Sequence, residues 1–152
     1  MDLDVDAFIP PAYIVNEVQK LDIYKRIAGI ENQNECDDMK EELLDRFGET
    51  PAAVENLLRI AMIRVSAHKL FMTEIRGRNG EIRFVLKPDA RIKPEGIPAL
   101  LEKNDKLSFS HKGTPFFLFK YKKCGMVERD AQMLLTFTEE LLLAMHKELG
   151  NE

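Results

Sequence analysis

The side chains of this 152-residue sequence that most often carry chemistry are three histidines, two cysteines and three serines. His68, His111 and His146 fall in three separate predicted elements, none at ligand spacing from an acid or a cysteine. A metal site would have to be assembled wholly by tertiary folding, so the three read as two helix-surface histidines and one turn histidine. Cys36 and Cys124 are too few for a disulfide scaffold and form no CxxC. Both read as small buried apolar groups in a reducing, cytoplasmic setting. Ser66, Ser108 and Ser110 stand in no GxSxG, and GxxxxGK[ST] is absent. Neither an acyl-transfer nucleophile nor a phosphate-cradling loop is therefore expected. No residue is assigned to catalysis, to a metal or to a cofactor, and the expectation is a non-catalytic domain.

Charge is distributed less evenly than these groups. Residues 1–72 hold 8 basic and 14 acidic residues, net −6, whereas residues 73–152 hold 14 and 12, net +2. From Glu31 to Glu49 eight acids stand against Lys40 and Arg46, which equals the whole imbalance of the first half. Cys36, Met39, Leu43 and Phe47 recur at helical spacing and define a core face. Asp38, Glu42 and Asp45 then stack on the opposite side, where like charges repel by about 0.2–0.5 kcal/mol per pair. Most charge runs of this kind are simply solvated helix faces. The alternative is a surface complementary to a basic partner, where carboxylates steer association and pair with arginines.

The second half offers a rival surface. Arg76, Arg78, Arg83, Lys112, Lys120, Lys122 and Lys123 surround Phe116, Phe117, Phe119 and Tyr121. Aromatics among cations suit a platform for single-stranded nucleic acid. The plainer reading, favoured by the overall charge of −4, puts Phe117, Phe119 and Tyr121 on one core face of a strand. Lysines then guard its edge. Phe116 and Leu118 point the other way, under a helix or at a docking surface.

Several elements must position these residues. Residues 1–14 alternate acids with apolar residues and stop at Ile9-Pro10-Pro11, which reads as a linker from something larger. The remainder, 15–152, reads as one domain. From Tyr13 to Ile30 an apolar stripe of Val15, Val18, Leu21, Ile23, Tyr24, Ile27 and Ala28 predicts a helix ending at Gly29. Asn32 with Glu35 forms a capping box for the acidic helix, which Gly48 stops. A third helix opens after Thr50-Pro51 and runs to about Phe71. With Ile60-Ala61-Met62-Ile63 unbroken, it reads as the most buried element. Alternating runs on either side of Arg78-Asn79-Gly80 predict a hairpin. A short helix from Pro98 to Lys103, a hairpin of 107–110 with 116–121, and a long amphipathic helix follow. The last has Val127, Ala131, Leu134, Leu135, Leu141, Leu142 and Met145 on its inner face. Helices followed by a ββαββα unit make an α+β fold with an antiparallel sheet and a long C-terminal helix. No apolar run reaches the roughly 20 residues that span a bilayer. The acidic start at Met1–Asp6 is unlike an export signal, which again suggests the cytoplasm.

Two strings carry more than these statistics. Ile23-Tyr24-Lys25-Arg26-Ile27-Ala28, and Glu42-Leu43-Leu44-Asp45-Arg46-Phe47-Gly48 followed by Pro51, closely resemble the C-terminal domain of bacterial transcription-repair coupling factors. Asp6-Ala7-Phe8-Ile9-Pro10 before Tyr13-Ile14 is similar to that family's lead-in, although Pro11 and Ala12 replace residues commonly acidic there. The resemblance implies a parent that is an ATP-dependent DNA translocase. It would remove stalled RNA polymerase and recruit excision repair through UvrA, with its motor upstream of this chain. It also implies that this domain is regulatory: it would clamp onto the parent's own N-terminal UvrB-like module and mask the UvrA-binding surface. Carried over by position, Glu42 and Asp45 are the family's partner-contacting acids. With Asp38 on the same helix side and Arg46 at its edge, they form the expected partner-binding set.

Overall fold

Asparagines open the first two helices. Asn16 Oδ1 accepts from Gln19 N at 3.0 Å, and Asn32 Oδ1 accepts from Glu35 N at 2.9 Å. Each satisfies an amide that has no partner within its helix, a contribution of about 1 kcal/mol. Glu35 reaches back to the amide of Glu31 at 3.0 Å, one residue beyond the usual capping-box partner. The computed structural model describes residues 1–150 and gives helices α1 (Glu17–Ala28), α2 (Gln33–Phe47), α3 (Ala52–Lys69), α4 (Ile97–Lys103) and α5 (Val127–Leu149). Its strands are β1 (Asp2–Leu3), β2 (Met72–Arg78), β3 (Glu81–Leu86), β4 (Leu107–Ser110) and β5 (Phe116–Lys120). The α+β architecture matches the expectation. The described chain divides into two compact units, Asp6–Val65 and Met1–Val5 with the chain from Ser66 onward.

The helical unit is built on Ile23 and Ile27 of α1, Cys36, Met39 and Leu43 of α2, and Val54, Leu58 and Ala61 of α3. The core spacing expected for α2 therefore holds, with Phe47 half-buried against the same cluster. In α3 only Ala52, His68 and Lys69 are exposed. The stripe expected on α1 is split instead. Val15, Val18 and Leu21 are 80%, 77% and 59% exposed. The helix begins at Glu17, and Val18 and Leu21 lie roughly 140–160° around its axis from Ile23. The apolar residues of this segment do not share the phase of one helix face.

Residues 1–14, expected as a linker, are held at several points. Within the helical unit, Ile9 and Ile14 are buried. The Ile9 amide donates to Tyr24 Oη at 2.8 Å, while Tyr13 Oη donates to the carbonyls of Leu43 and Gly48 at 3.2 and 2.9 Å. The prolines that stop a helix here form a turn, with Tyr13 N donating to Pro10 O at 3.0 Å, and that turn presents both isoleucines to the core.

In the other unit the strand order is β1-β2-β3-β5-β4. The four expected strands pair antiparallel, and β1 adds a short parallel edge through Asp2↔Arg76 and Leu3↔Gly77, so the sheet is mixed. Asn79 and Gly80 both have positive φ, 54° and 75°, as a two-residue hairpin turn requires. Facing Ile82↔Phe119 and Phe84↔Phe117 pairs build the buried side. Gly77 lets α5 approach closely, since a Cβ there would meet Leu134 Cδ1 at 2.6 Å. Leu134, Leu135, Leu141, Leu142 and Met145 of α5 are buried as expected, but Val127 is 81% exposed. It is the first residue of the helix, and the buried role in that turn falls to Asp130. No helix among the described residues is long and apolar enough to cross a membrane.

Candidate functional site

The acidic helix is not a uniform face. Asp38 and Asp45 are exposed on α2 and have no side-chain partner among the described residues. Glu42 is half-buried on the flank nearer α1 and is already occupied. Arg26 Nη1 lies 2.5 Å from Glu42 Oε2 and Nη2 lies 2.6 Å from Oε1, a bidentate fork from α1. Arg46 Nη1 adds a contact of 2.7 Å to Oε2 from the next turn of α2. Hydrogen bonds from Arg26 and then Arg46 hold the Glu42 carboxyl down to about 2, well below its ordinary 4.5. The same fork raises the Arg26 guanidinium. Arg46 also lies over the Phe47 ring, 4.9 Å from its centroid, and Asp22 Oδ2 stands 4.0 Å from Arg26.

Local sequence explains the cluster. Ile23 and Ile27 turn inward, so Arg26 emerges at the border of the α1 core face; Glu42 sits beside buried Leu43 at the matching border of α2. The four sequence-derived positions are thus brought onto one helix, but in two states. Asp38 and Asp45 are free, whereas Glu42 is engaged by both Arg46 and Arg26. Sequence reasoning missed Arg26, because its contact spans 16 residues and depends on how α1 packs against α2. Its sequence signals are its place one residue before the buried Ile27 and its membership of the Ile23–Ala28 string.

Residues 3–97 match the family model described as the TRCF domain. The chain belongs to that family. Over 125 residues, 81% of this chain, it is 34% identical to a transcription-repair-coupling factor of Haemophilus influenzae. It is 40% identical over 96 residues, 63% of the chain, to one of Staphylococcus aureus strain USA300. A Staphylococcus haemolyticus factor is 35% identical over the same length. These matches span only 10%, 8% and 8% of the relatives' lengths. A crystal structure of the C-terminal domain of a transcription-repair coupling factor superposes with a TM-score of 0.77 at 26% identity. That superposition covers 97% of this chain and 93% of the other, so the TRCF domain has the fold of that C-terminal domain.

The rival basic surface of this TRCF domain is largely self-satisfied. Phe117 and Phe119 are buried, and Tyr121 is half-buried against Phe137 at 5.1 Å, so these aromatics are core and unavailable for stacking. Arg76 pairs with Glu74 at 2.8 Å, Arg78 with Asp2 at 3.0 Å and Lys120 with Glu81 at 3.9 Å. Arg83 lies 4.4 Å from the Phe116 ring centroid on the outer side of the sheet, whereas Lys112, Lys122 and Lys123 are exposed. His68 and His111 are exposed, but His146 is half-buried, with Nε2 3.0 Å from Ser66 Oγ. Cys36 is buried, and burial pushes its thiol up. Cys124, expected to be buried, is exposed: the loop before α5 is fastened by backbone, with the Cys124 and Gly125 amides donating to Asp130 at 2.8 and 3.1 Å.

Proposed function

We propose that this TRCF domain is a non-catalytic, autoinhibitory interaction domain of a transcription-repair coupling factor. It docks on the N-terminal UvrB-like module of the same parent protein and masks the surface through which that module binds UvrA. The parent is a cytoplasmic, ATP-dependent DNA translocase that removes stalled RNA polymerase, and residues 1–14 join its preceding domains to the regulatory domain that follows. Asp38, Glu42 and Asp45 of α2 meet basic residues of the module, with Arg46 at the rim. The observation that carries this reading is the pair of exposed carboxylates, Asp38 and Asp45, left without partners on the helix whose string resembles the family's contact segment. Exposed ion pairs contribute only about 0–1 kcal/mol each, which suits a latch that must release. A covalent tether raises the effective concentration, so weak pairs suffice.

The test mixes this chain with the purified UvrB-like module and reverses charge at Glu42 and Asp45. Binding that is lost on reversal, and regained with opposite charges on the module, supports the assignment. Binding indifferent to the reversal places the interface elsewhere.

A further inference from the structure

The carboxylate at the centre of the proposed docking face already has an arginine on it. Arg26 grips both oxygens of Glu42, and Arg46 takes Oε2 as well. Three of the roughly four lone-pair directions of a carboxylate are thereby used. A guanidinium arriving from a partner cannot make its own bidentate contact while Arg26 stays in place. Arg26 is nonetheless free to leave. Its side chain is 42% exposed, and its second acid, Asp22, one turn back on α1, lies 4.0 Å away. A displaced Arg26 thus keeps a partner within reach. Asp38 and Asp45 have no such internal competitor.

We propose that Arg26 is a built-in competitor for the docking carboxylate: docking exchanges Arg26 at Glu42 for an arginine of the partner and hands Arg26 to Asp22. This inference rests on the docking reading above and adds how the face is restrained. Because one guanidinium replaces another, the number of ion pairs at Glu42 does not change on docking. Glu42 therefore fixes register, and net attraction comes from Asp38 and Asp45. The device keeps the latch weaker than three free carboxylates would make it and selects a forked guanidinium over an ammonium.

The sign of one substitution decides the matter. In calorimetric titrations of the full chain with the purified UvrB-like module, Arg26→Gln is expected to tighten binding about three- to tenfold. Asp22→Asn, which removes the acid that receives the displaced Arg26, is expected to weaken binding. The double variant R26Q/E42Q is expected to bind like E42Q alone. A residue that merely supports the helix pair, or that orients Glu42 for its partner, gives the opposite sign: R26Q then weakens binding. Unchanged or weakened binding by a folded R26Q overturns the competitor role while leaving the docking reading intact. No binding by the unsubstituted chain sinks both. If R26Q loses its thermal transition, Arg26 is a structural residue and the inference is wrong.

Discussion

The helical unit, Asp6–Val65, holds 12 acidic and 7 basic residues, whereas the sheet unit, formed by the rest of the chain, holds 14 and 15. The contrast is sharper in how those charges are used. On the outward side of the sheet, arginines and lysines find acids or rings close by: Arg76 with Glu74, Arg78 with Asp2, Lys120 with Glu81 and Arg83 over Phe116. On α2, Glu42 is matched within the fold but Asp38 and Asp45 are not. A nearly balanced surface, paired within itself on the sheet and leaving loop lysines such as Lys112, Lys122 and Lys123 exposed, gives less electrostatic guidance to a partner. An unbalanced one steers basic partners toward it. This difference is why the docking role is assigned to the helical unit.

The largest effects that test the contrast lie in the two cores. Phe84 of the sheet and Leu43 of α2 are both fully buried. Phe84→Ala is expected to cost about 3–5 kcal/mol and Leu43→Ala about 2–5 kcal/mol in denaturant unfolding. A loss below about 1 kcal/mol at either position would show that its unit is not packed as described. A smaller effect separates folding from recognition on α2 itself. Asn32→Ala removes the cap on the Glu35 amide and should lower stability by about 1 kcal/mol. Asp38→Asn should change stability by less than about 0.5 kcal/mol while weakening docking. Equal stability losses for the two would mean that Asp38 has an internal structural role.

Acid acts on both units, through one carboxylate held by arginines and one held by backbone amides. Glu42 has its folded pKa depressed to about 2 from 4.5, so its stabilising contribution is complete above about pH 4.5 and disappears as pH falls toward 2. Asp130 of the sheet unit is also depressed, chiefly by the Cys124 amide, and its contribution likewise fades on acidification. Carboxyl titration by nuclear magnetic resonance should find Glu42 ionised at pH 3.5. A Glu42 midpoint near 4.5 would remove the arginine cluster from solution.

Much of the fold was legible because its signals are local. Asn32, Gly48 and the Asn79-Gly80 turn act within a few residues, and the period of Cys36, Met39 and Leu43 needs only the helix to be read. What escaped depended on phase or on contacts distant in sequence. Val18 and Leu21 are apolar but lie out of phase with Ile23. Ile9 and Ile14 are buried through a turn at Pro10, a packing that composition alone does not show. The candidate site was legible as an acidic helix but not as a divided one. Nothing within Glu31–Glu49 reveals that Arg26, 16 residues before Glu42, occupies one of its three candidate carboxylates.

The proposed docking requires that this TRCF domain and UvrA compete for one surface of the UvrB-like module. The most direct measurement follows UvrA bound to the isolated UvrB-like module as this chain is added in increasing amounts. UvrA is expected to be displaced, and the chain with Asp38 and Asp45 both changed to arginine to displace it far less. A stable ternary complex of module, UvrA and this chain would contradict it.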